Sequence, residues 1–183
     1  MTIHAETAPT SSPSPEAGDT LSGLIQFIVA THHAFTRGEL RRVAVLFGEV
    51  VEQDGGAYLE LGEIGACVEA LAADLGPHLL KEENILFPYL EALEHAHKAG
   101  LPEPVACFGT LENPLRQMNS EHEAVGGLLE RLRELTRDFT PPHSASPAHR
   151  AFYQALEGLE ADLIRHIHLE NQVLFPRARQ LAA

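Results

Sequence analysis

The stretch HLLKEENILFP, residues 78–88, is repeated near the C-terminus as HIHLENQVLFP, residues 166–176. Both copies begin with His, carry Glu at the fifth position and end in Leu-Phe-Pro. Residues four apart lie on the same face of an α-helix, one turn from each other. Each copy therefore presents one imidazole and one carboxylate to the same point in space, which raises the question of what the two copies hold together.

Four segments of the chain have apolar residues at helical spacing, and no window shows sustained strand-like alternation. They run over about residues 20–54, 58–98, 114–139 and 146–181. The connections at 55–57 and 140–146 are short, and the one at 99–113 is longer. This pattern predicts an all-α, antiparallel up-down four-helix bundle. Because proline disrupts a helix, we expect Pro88 and Pro176 to bend or end their helices within two turns of the repeated Glu.

The composition predicts one folded domain with an N-terminal extension. The 183 residues are 44% hydrophobic, which allows a sizeable core. Residues 1–19 are rich in Ser, Thr, Pro and Ala, and such a segment is predicted to be a disordered tail. We therefore assign the domain to residues 20–183.

The net charge of the chain and its two cysteines limit the class of partner and the cellular location that we expect. The net charge of −13 repels phosphate backbones, so we expect no nucleic-acid partner. No apolar run is long enough for a membrane span, and the N-terminus does not resemble a secretory signal. Cys67 and Cys107 form no C-x-x-C pair, which favours a reducing, cytoplasmic location.

The other two predicted helices carry imidazoles at matching distances from the repeated phrase. The third has His122, which lies 44 residues before His166. The first has His32 and His33, which lie 46 and 45 residues before His78. Each half of the chain thus contains a His and then a His-x-x-x-Glu pair. Two such hairpins facing each other would bring four His and two Glu to one centre, as in di-iron sites of four-helix bundles whose carboxylates bridge two ions.

A single His–Glu pair of this spacing is usually a surface hydrogen bond. Two matched pairs, with a His on each remaining helix, indicate a metal centre instead, because polar residues on an apolar core face need partners. The mixed nitrogen and oxygen donors suit iron, manganese or zinc better than calcium or magnesium. His168, two residues after His166, is expected on the far side of its helix. The other histidines lie near helix ends, in connections or in the tail, and we expect them to be solvent-exposed and without a role: His4, His95, His97, His143 and His149.

The order His…His-x-x-x-Glu…His…His-x-x-x-Glu resembles the hemerythrin-like HHE cation-binding domain. The phrases KEENILFP, SEHEA and HIHLENQVLFPRA are most similar to its branch of RIC proteins, named for repair of iron centres. The resemblance covers about residues 20–180 and implies a four-helix bundle with a non-haem di-iron centre. In that branch the first-helix His is followed by Arg at +4, Glu at +6 and an apolar residue at +7. His33 fits this motif, with Arg37, Glu39 and Leu40.

The resemblance implies two iron ions and a set of ligands in which Glu82 and Glu170 are bridges. The implied ligands are His33, His78, Glu82, His122, His166 and Glu170. RIC proteins have a further ligand His 21 residues after the first, where this chain has Asp54. Because 21 residues are close to six helical turns, we expect Asp54 on the same inner face as His33. It is predicted either to bind metal through oxygen or to be an ordinary helix-terminal Asp.

The resemblance also implies a role in the response to nitrosative or oxidative stress, in the repair of iron–sulfur clusters. Its expected partners are a small diatomic ligand, O2 or NO, and iron–sulfur proteins. RIC proteins commonly have an N-terminal domain with a Cys-Cys pair, whereas residues 1–19 contain no cysteine. Two alternatives stay open. One is a carrier or sensor of O2 or NO, and the other is a di-iron oxidoreductase acting on NO or peroxide, so enzymatic activity is an open question.

Overall fold

A computed structural model of the protein describes residues 20–182, and all regular elements in that range are helical. The α-helices are α1 (Leu21–Ile28), α2 (Ala34–Asp54), α3 (Leu61–Lys81), α4 (Phe87–Ala99), α5 (Glu112–Leu135), α6 (Pro147–Leu169) and α7 (Phe175–Leu181). Three π-turns, Val29–His33, Glu82–Leu86 and Glu170–Leu174, join α1 to α2, α3 to α4 and α6 to α7. The chain therefore forms four long helices: α1–α2, α3–α4, α5 and α6–α7.

The four-helix bundle predicted from the sequence is confirmed, and the first and fourth of its long helices begin at a polar N-cap residue. The Thr20 hydroxyl accepts a hydrogen bond from the Gly23 amide at the start of α1. The Ser146 hydroxyl accepts one from the His149 amide at the start of α6. Such caps satisfy amides that have no partner within the helix. The predicted tail, residues 1–19, lies outside the described residues.

The structure excludes one of the two outcomes expected at Pro88 and Pro176, a bend or an end, because neither proline ends its helix. Each follows a π-turn, in which the amide of Phe87 bonds to the carbonyl of Glu82 and that of Phe175 bonds to the carbonyl of Glu170. The wider turn lets a new α-helical segment begin at the Phe-Pro pair. A proline at the start of such a segment has no amide hydrogen to leave unpaired, so the helix continues through it.

A polar layer divides the apolar core of the bundle into two clusters. One cluster lies among α2, α3, α5 and α6 and includes the fully buried Val43, Leu71 and Leu163. The other lies among α1, α4, α7 and the start of α5 and includes Leu24 and Phe175. All three π-turns fall at the level between them. In the described part of the chain no helix is both long and apolar enough to cross a membrane.

Glu94 of α4 holds the N-terminus of the first long helix. Its carboxylate accepts hydrogen bonds from the amides of Leu21 and Ser22, at 3.0 and 3.1 Å, and from the Ser22 hydroxyl at 2.7 Å. Lys98 lies 3.0 Å away on the next turn. Burial alone would raise the pKa of Glu94, but the bonds from Ser22, Lys98 and Leu21 outweigh it and lower the pKa to about 2. A carboxylate is favourable at this position because helix N-termini carry free amides and partial positive charge.

We predict that Glu94→Gln lowers the free energy of unfolding at pH 7 by about 1–3 kcal/mol, since charge-assisted bonds to α1 are lost. The lowered pKa means that the ionised form stabilises the fold above the ordinary glutamate pKa. That contribution is lost as the pH falls through the folded-state value of about 2. Urea unfolding of both proteins at pH 7 and at pH 3 measures the difference, which should be smaller at pH 3. Glu91→Gln on the same helix is the control, and equal losses in the two variants would contradict the prediction.

Candidate metal centre

Six of the seven residues predicted as metal ligands meet in the polar layer. They form two groups, and within each group one potential ligand atom per residue lies within 4.8 Å of the others. The groups are His33, His166, Glu82 and Glu170, and His78, His122, Glu82 and Glu170. Each group has its own pair of imidazoles, and both groups contain the same two carboxylates. This sharing is the arrangement expected of two adjacent cation positions.

Each of the two carboxylates lies next to one imidazole of the first group and one imidazole of the second. The four contacts are His33 Nε2 to Glu82 Oε2 at 3.4 Å, His78 Nε2 to Glu82 Oε2 at 3.4 Å, His122 Nε2 to Glu170 Oε2 at 3.1 Å and His166 Nε2 to Glu170 Oε1 at 2.9 Å. Neither carboxylate belongs to one pair of imidazoles alone. Both are therefore placed to bridge.

The π-turns lie at the predicted ligands. The first ends on His33, and the other two begin at Glu82 and Glu170. A π-turn inserts one extra residue and changes the direction of the side chains around it, and such turns are frequent at functional sites. The helix α5, which carries His122, has none. The sequence reasoning missed these turns, although the Leu-Phe-Pro that follows each Glu is a signal for two of them.

Several buried atoms in the centre have no hydrogen-bond partner. All six side chains are at most 5% exposed, yet His33 Nε2, both oxygens of Glu82 and Glu170 Oε2 are unpaired. Unpaired buried polar atoms are costly. In addition, His78 Nε2 and His122 Nε2 face each other at 3.2 Å. Two imidazoles bound to one ion at ~2.1 Å and roughly a right angle place their nitrogens about 3 Å apart. The residues present therefore fit a pair of metal ions.

The charge states also favour cation binding. Burial raises the pKa of Glu82 well above its ordinary value, and the neighbouring Glu170 raises it further. Burial would raise the pKa of Glu170 too, but His166 and His122 hold it low. Two carboxylates this close do not both ionise without a counter-charge. Burial, together with His166, lowers the pKa of His33 to about 4, and burial lowers that of His78, so both imidazoles are neutral and offer a lone pair.

Three of the four imidazoles are hydrogen-bonded at Nδ1, the ring nitrogen that faces away from the centre, to an acceptor. The contacts are His33 to Glu83 Oε1 at 2.7 Å, His78 to Glu121 Oε2 at 2.8 Å and His122 to Asn171 Oδ1 at 3.1 Å. An acceptor at Nδ1 fixes the hydrogen there and leaves Nε2 free to bind metal. Glu83 also accepts from Arg37 at 2.8 Å, and Glu121 also pairs with Lys81. The sequence reasoning gave these acceptors no role, although each is adjacent in sequence to a predicted ligand.

His32 is buried but belongs to neither group. Its Nδ1 lies 2.9 Å from Asp162 Oδ1, and its ring stacks on that of His166 at 5.6 Å with an angle of 4° between the planes. The structure therefore brings His33 to the centre, as the resemblance implied, and places His32 beside it.

The structure does not bring Asp54 to the centre. The helix α2 runs without a break from Ala34 to Asp54, and a rise of ~1.5 Å per residue places Asp54 about 30 Å along the axis from His33. The prediction considered the angle around the helix and omitted this rise. The Asp54 carboxylate instead accepts hydrogen bonds from the Ser146 amide and His149 Nδ1, both at 3.1 Å. It thereby joins the end of α2 to the start of α6.

His149 was expected to be solvent-exposed, and the structure shows that this was wrong. It is fully buried, with its ring edge-on to those of Tyr58 and Tyr153 at 5.1 and 4.7 Å. Asp54 draws it inward through the hydrogen bond at Nδ1. Of the other histidines predicted to be exposed, His95, His97 and His143 are so, and His4 lies outside the described residues.

We predict that Asp54→Asn lowers the melting temperature without changing metal content. The Ser146 and His149 bonds, which also lower the pKa of Asp54, are made far from the centre, so their weakening should affect only the packing of α2 on α6. Thermal unfolding and elemental analysis of both proteins measure the two effects. Glu52→Gln, an exposed residue two positions earlier, is the control. Loss of metal in Asp54→Asn at an unchanged melting temperature would show that Asp54 does act as a ligand.

Comparisons with known proteins agree with this geometry. Residues 24–178 match the family model described as hemerythrin HHE cation binding domain. An iron-sulfur cluster repair protein YtfE from Yersinia pseudotuberculosis serotype IB (strain PB1/+) is 36% identical over 165 residues, which cover 86% of this chain and 66% of the relative. The protein of the same name from Yersinia pestis (strain Pestoides F) has the same identity and coverage. The chain thus spans 66% of the length of these curated relatives. Because the family model matches most of its residues, the chain belongs to the hemerythrin HHE cation binding domain family.

Proposed function

We propose that the polar layer holds two non-haem iron ions, one between His33 and His166 and one between His78 and His122. Glu82 and Glu170 would bridge them. The observation that carries this proposal is that the two groups of potential ligands share both carboxylates. Imidazole and carboxylate together suit iron, and di-iron centres of this kind occur in four-helix bundles. Manganese and zinc satisfy the same donors.

The surroundings of the centre support binding of a small diatomic ligand such as O2 or NO. Each position has two imidazoles and two shared carboxylates, which leaves coordination open on a six-coordinate ion. Non-haem iron supplies redox chemistry and binding of such ligands when it is present. The chain supplies apolar surroundings, since Phe87 stacks on His33 at 5.6 Å and Phe175 on His122 at 6.3 Å. These rings exclude water from the side of the centre that faces the second apolar cluster.

We further propose a role in the repair of iron–sulfur clusters under nitrosative or oxidative stress, with iron–sulfur proteins as partners. The support is the similarity to the two Yersinia relatives, which are named iron-sulfur cluster repair proteins. A cytoplasmic location stays a prediction from cysteine content, and Cys67 and Cys107 are both free thiols.

A carrier or sensor of O2 or NO is the second candidate, favoured by the aromatic rings that shield the centre. Reversible O2 or NO uptake by the anaerobically purified protein, seen as a new absorption band, would favour it. Repeated turnover of NO or peroxide with an added electron donor would instead indicate an oxidoreductase.

We predict that Glu82→Ala and Glu170→Ala each reduce the iron content below the two ions per chain expected for the wild-type protein. Each removes a carboxylate shared by both positions, so both positions should weaken together. Metal analysis after anaerobic loading measures the content, and thermal unfolding should show that metal no longer stabilises the variants. Glu123→Ala, at an exposed position on α5, is the control. Two ions retained in both variants would contradict the bridging assignment.

We predict that a strain lacking the protein recovers its iron–sulfur enzyme activity more slowly after exposure to NO. A copy of the wild-type gene should restore the recovery, whereas a copy carrying Glu170→Ala should not, because its centre loses metal. Aconitase activity in extracts, followed after the NO source is removed, gives the rate. Equal recovery with and without the protein would contradict a repair role.

A further inference from the structure

The fourth imidazole of the centre, His166, differs from the other three. Its Nδ1 is buried and has no hydrogen-bond partner, whereas His33, His78 and His122 each have an acceptor there. A histidine that binds metal through Nε2 carries its hydrogen on Nδ1, and that hydrogen normally has an acceptor. A buried N–H without one is costly. The centre therefore needs an acceptor behind His166.

Asp162 is the carboxylate best placed to supply it. It precedes His166 by four residues on α6, and residues four apart share a helix face. Its Oδ1 lies 2.9 Å from His32 Nδ1, but its Oδ2 is buried and has no partner. An unpaired donor and an unpaired acceptor thus lie one helical turn apart. The ring of His32 is parallel to that of His166, so the two Nδ1 atoms can each face one oxygen of the same carboxylate.

The internal repeat explains why this acceptor comes from α6. In one half of the chain, the residue before the ligand His122 is Glu121, which accepts from His78. In the other half, the residue before the ligand His33 is His32. Because an imidazole is not an anion, His32 does not provide the carboxylate acceptor that Glu121 provides at the matching position. Asp162 holds the carboxylate that this half would otherwise lack.

We propose that Asp162 is the outer acceptor of His166, shared with His32, and that it positions this imidazole for metal. The inference rests on the proposed metal centre. Asp162 touches no metal in this assignment and acts through His166, so it is a positioning residue.

The assignment makes the two metal positions unequal. In this assignment the Nδ1 acceptors of His33 and His166 are both carboxylates, those of Glu83 and Asp162. The Nδ1 acceptors of His78 and His122 are one carboxylate, that of Glu121, and the neutral amide of Asn171. A carboxylate acceptor makes the imidazole a stronger donor to the metal. His78 also lines a surface cavity of about 280 Å³ between α3 and α5. The position between His33 and His166 should therefore bind metal more tightly.

The wild-type protein loaded with two Zn²⁺ ions gives a first test by NMR. An imidazole N–H that donates to a carboxylate resonates further downfield than one that donates to an amide. His33 and His78 calibrate the carboxylate case, and His122 calibrates the amide case. We expect the Nδ1–H signal of His166 to lie with those of His33 and His78. A His166 signal at or upfield of the His122 signal would overturn the assignment.

Asp162→Asn gives the second test, because one amide oxygen does not serve both imidazoles. Titration with Co²⁺, followed by visible absorption, should show the tighter of the two affinities reduced by about tenfold or more. The matched control is Glu157→Gln, an exposed residue on the same helix, and it should leave both affinities unchanged. Unchanged affinities in Asp162→Asn would overturn the inference.

The two tests separate this inference from the proposed function. A wild-type protein that binds neither Zn²⁺ nor Co²⁺ would overturn the metal centre, and the Asp162 assignment with it. Two ions bound by the wild-type protein, with an upfield His166 signal, would overturn the Asp162 assignment alone. If Asp162→Asn fails to fold, the NMR result on the wild-type protein decides.

Discussion

Two carboxylates buried at one level of the bundle are the constraint on which the rest of the structure depends. Glu82 and Glu170 are fully buried and share two pairs of imidazoles. Buried charges are tolerated only when they are compensated; His166 and His122 lower the pKa of Glu170, whereas burial and the neighbouring Glu170 raise that of Glu82. A cation would supply the missing counter-charge, and we expect metal binding and folding of this layer to be coupled. The three π-turns lie at this level, between the two apolar clusters.

The internal repeat gives the centre an approximate twofold symmetry that extends beyond the ligands. The residue after each buried Glu accepts a hydrogen bond from the imidazole of the preceding long helix: Glu83 from His33, and Asn171 from His122. One acceptor is a carboxylate and the other an amide, so the two halves use the same geometry with different charge. The backbone departs from the symmetry as well, because a π-turn ends at His33 and none occurs near His122. Repetition in the sequence therefore produces two similar positions, but not two identical ones.

Helical spacing was sufficient to predict the bundle and five of the six residues that meet, because it fixes which side chains share a face, and the family resemblance was needed to choose His33 over His32. Spacing was insufficient where the rise along a helix, a local change of helix type or a contact between helices decided the structure. Asp54 lies about six turns beyond His33, and six turns also displace a residue by about 30 Å. Pro88 and Pro176 were expected to bend or end their helices, but the π-turn that precedes each of them was not predicted, and both helices continue past the proline. The burial of His149 depends on Asp54 of another helix, a contact that no local pattern predicts.

Both ends of the first long helix, α1–α2, are attached to other helices, and His33 of the polar layer lies between these ends. Its start is held by Glu94 of α4, which accepts from the Leu21 and Ser22 amides. Its end is held through Asp54, which accepts from Ser146 and His149 at the start of α6. Both attachments are far from the centre and do not depend on metal. Since a continuous helix is stiff, fixing its two ends also fixes His33 between them. The hydrogen bonds at the two ends of this helix therefore help to position His33 in the polar layer.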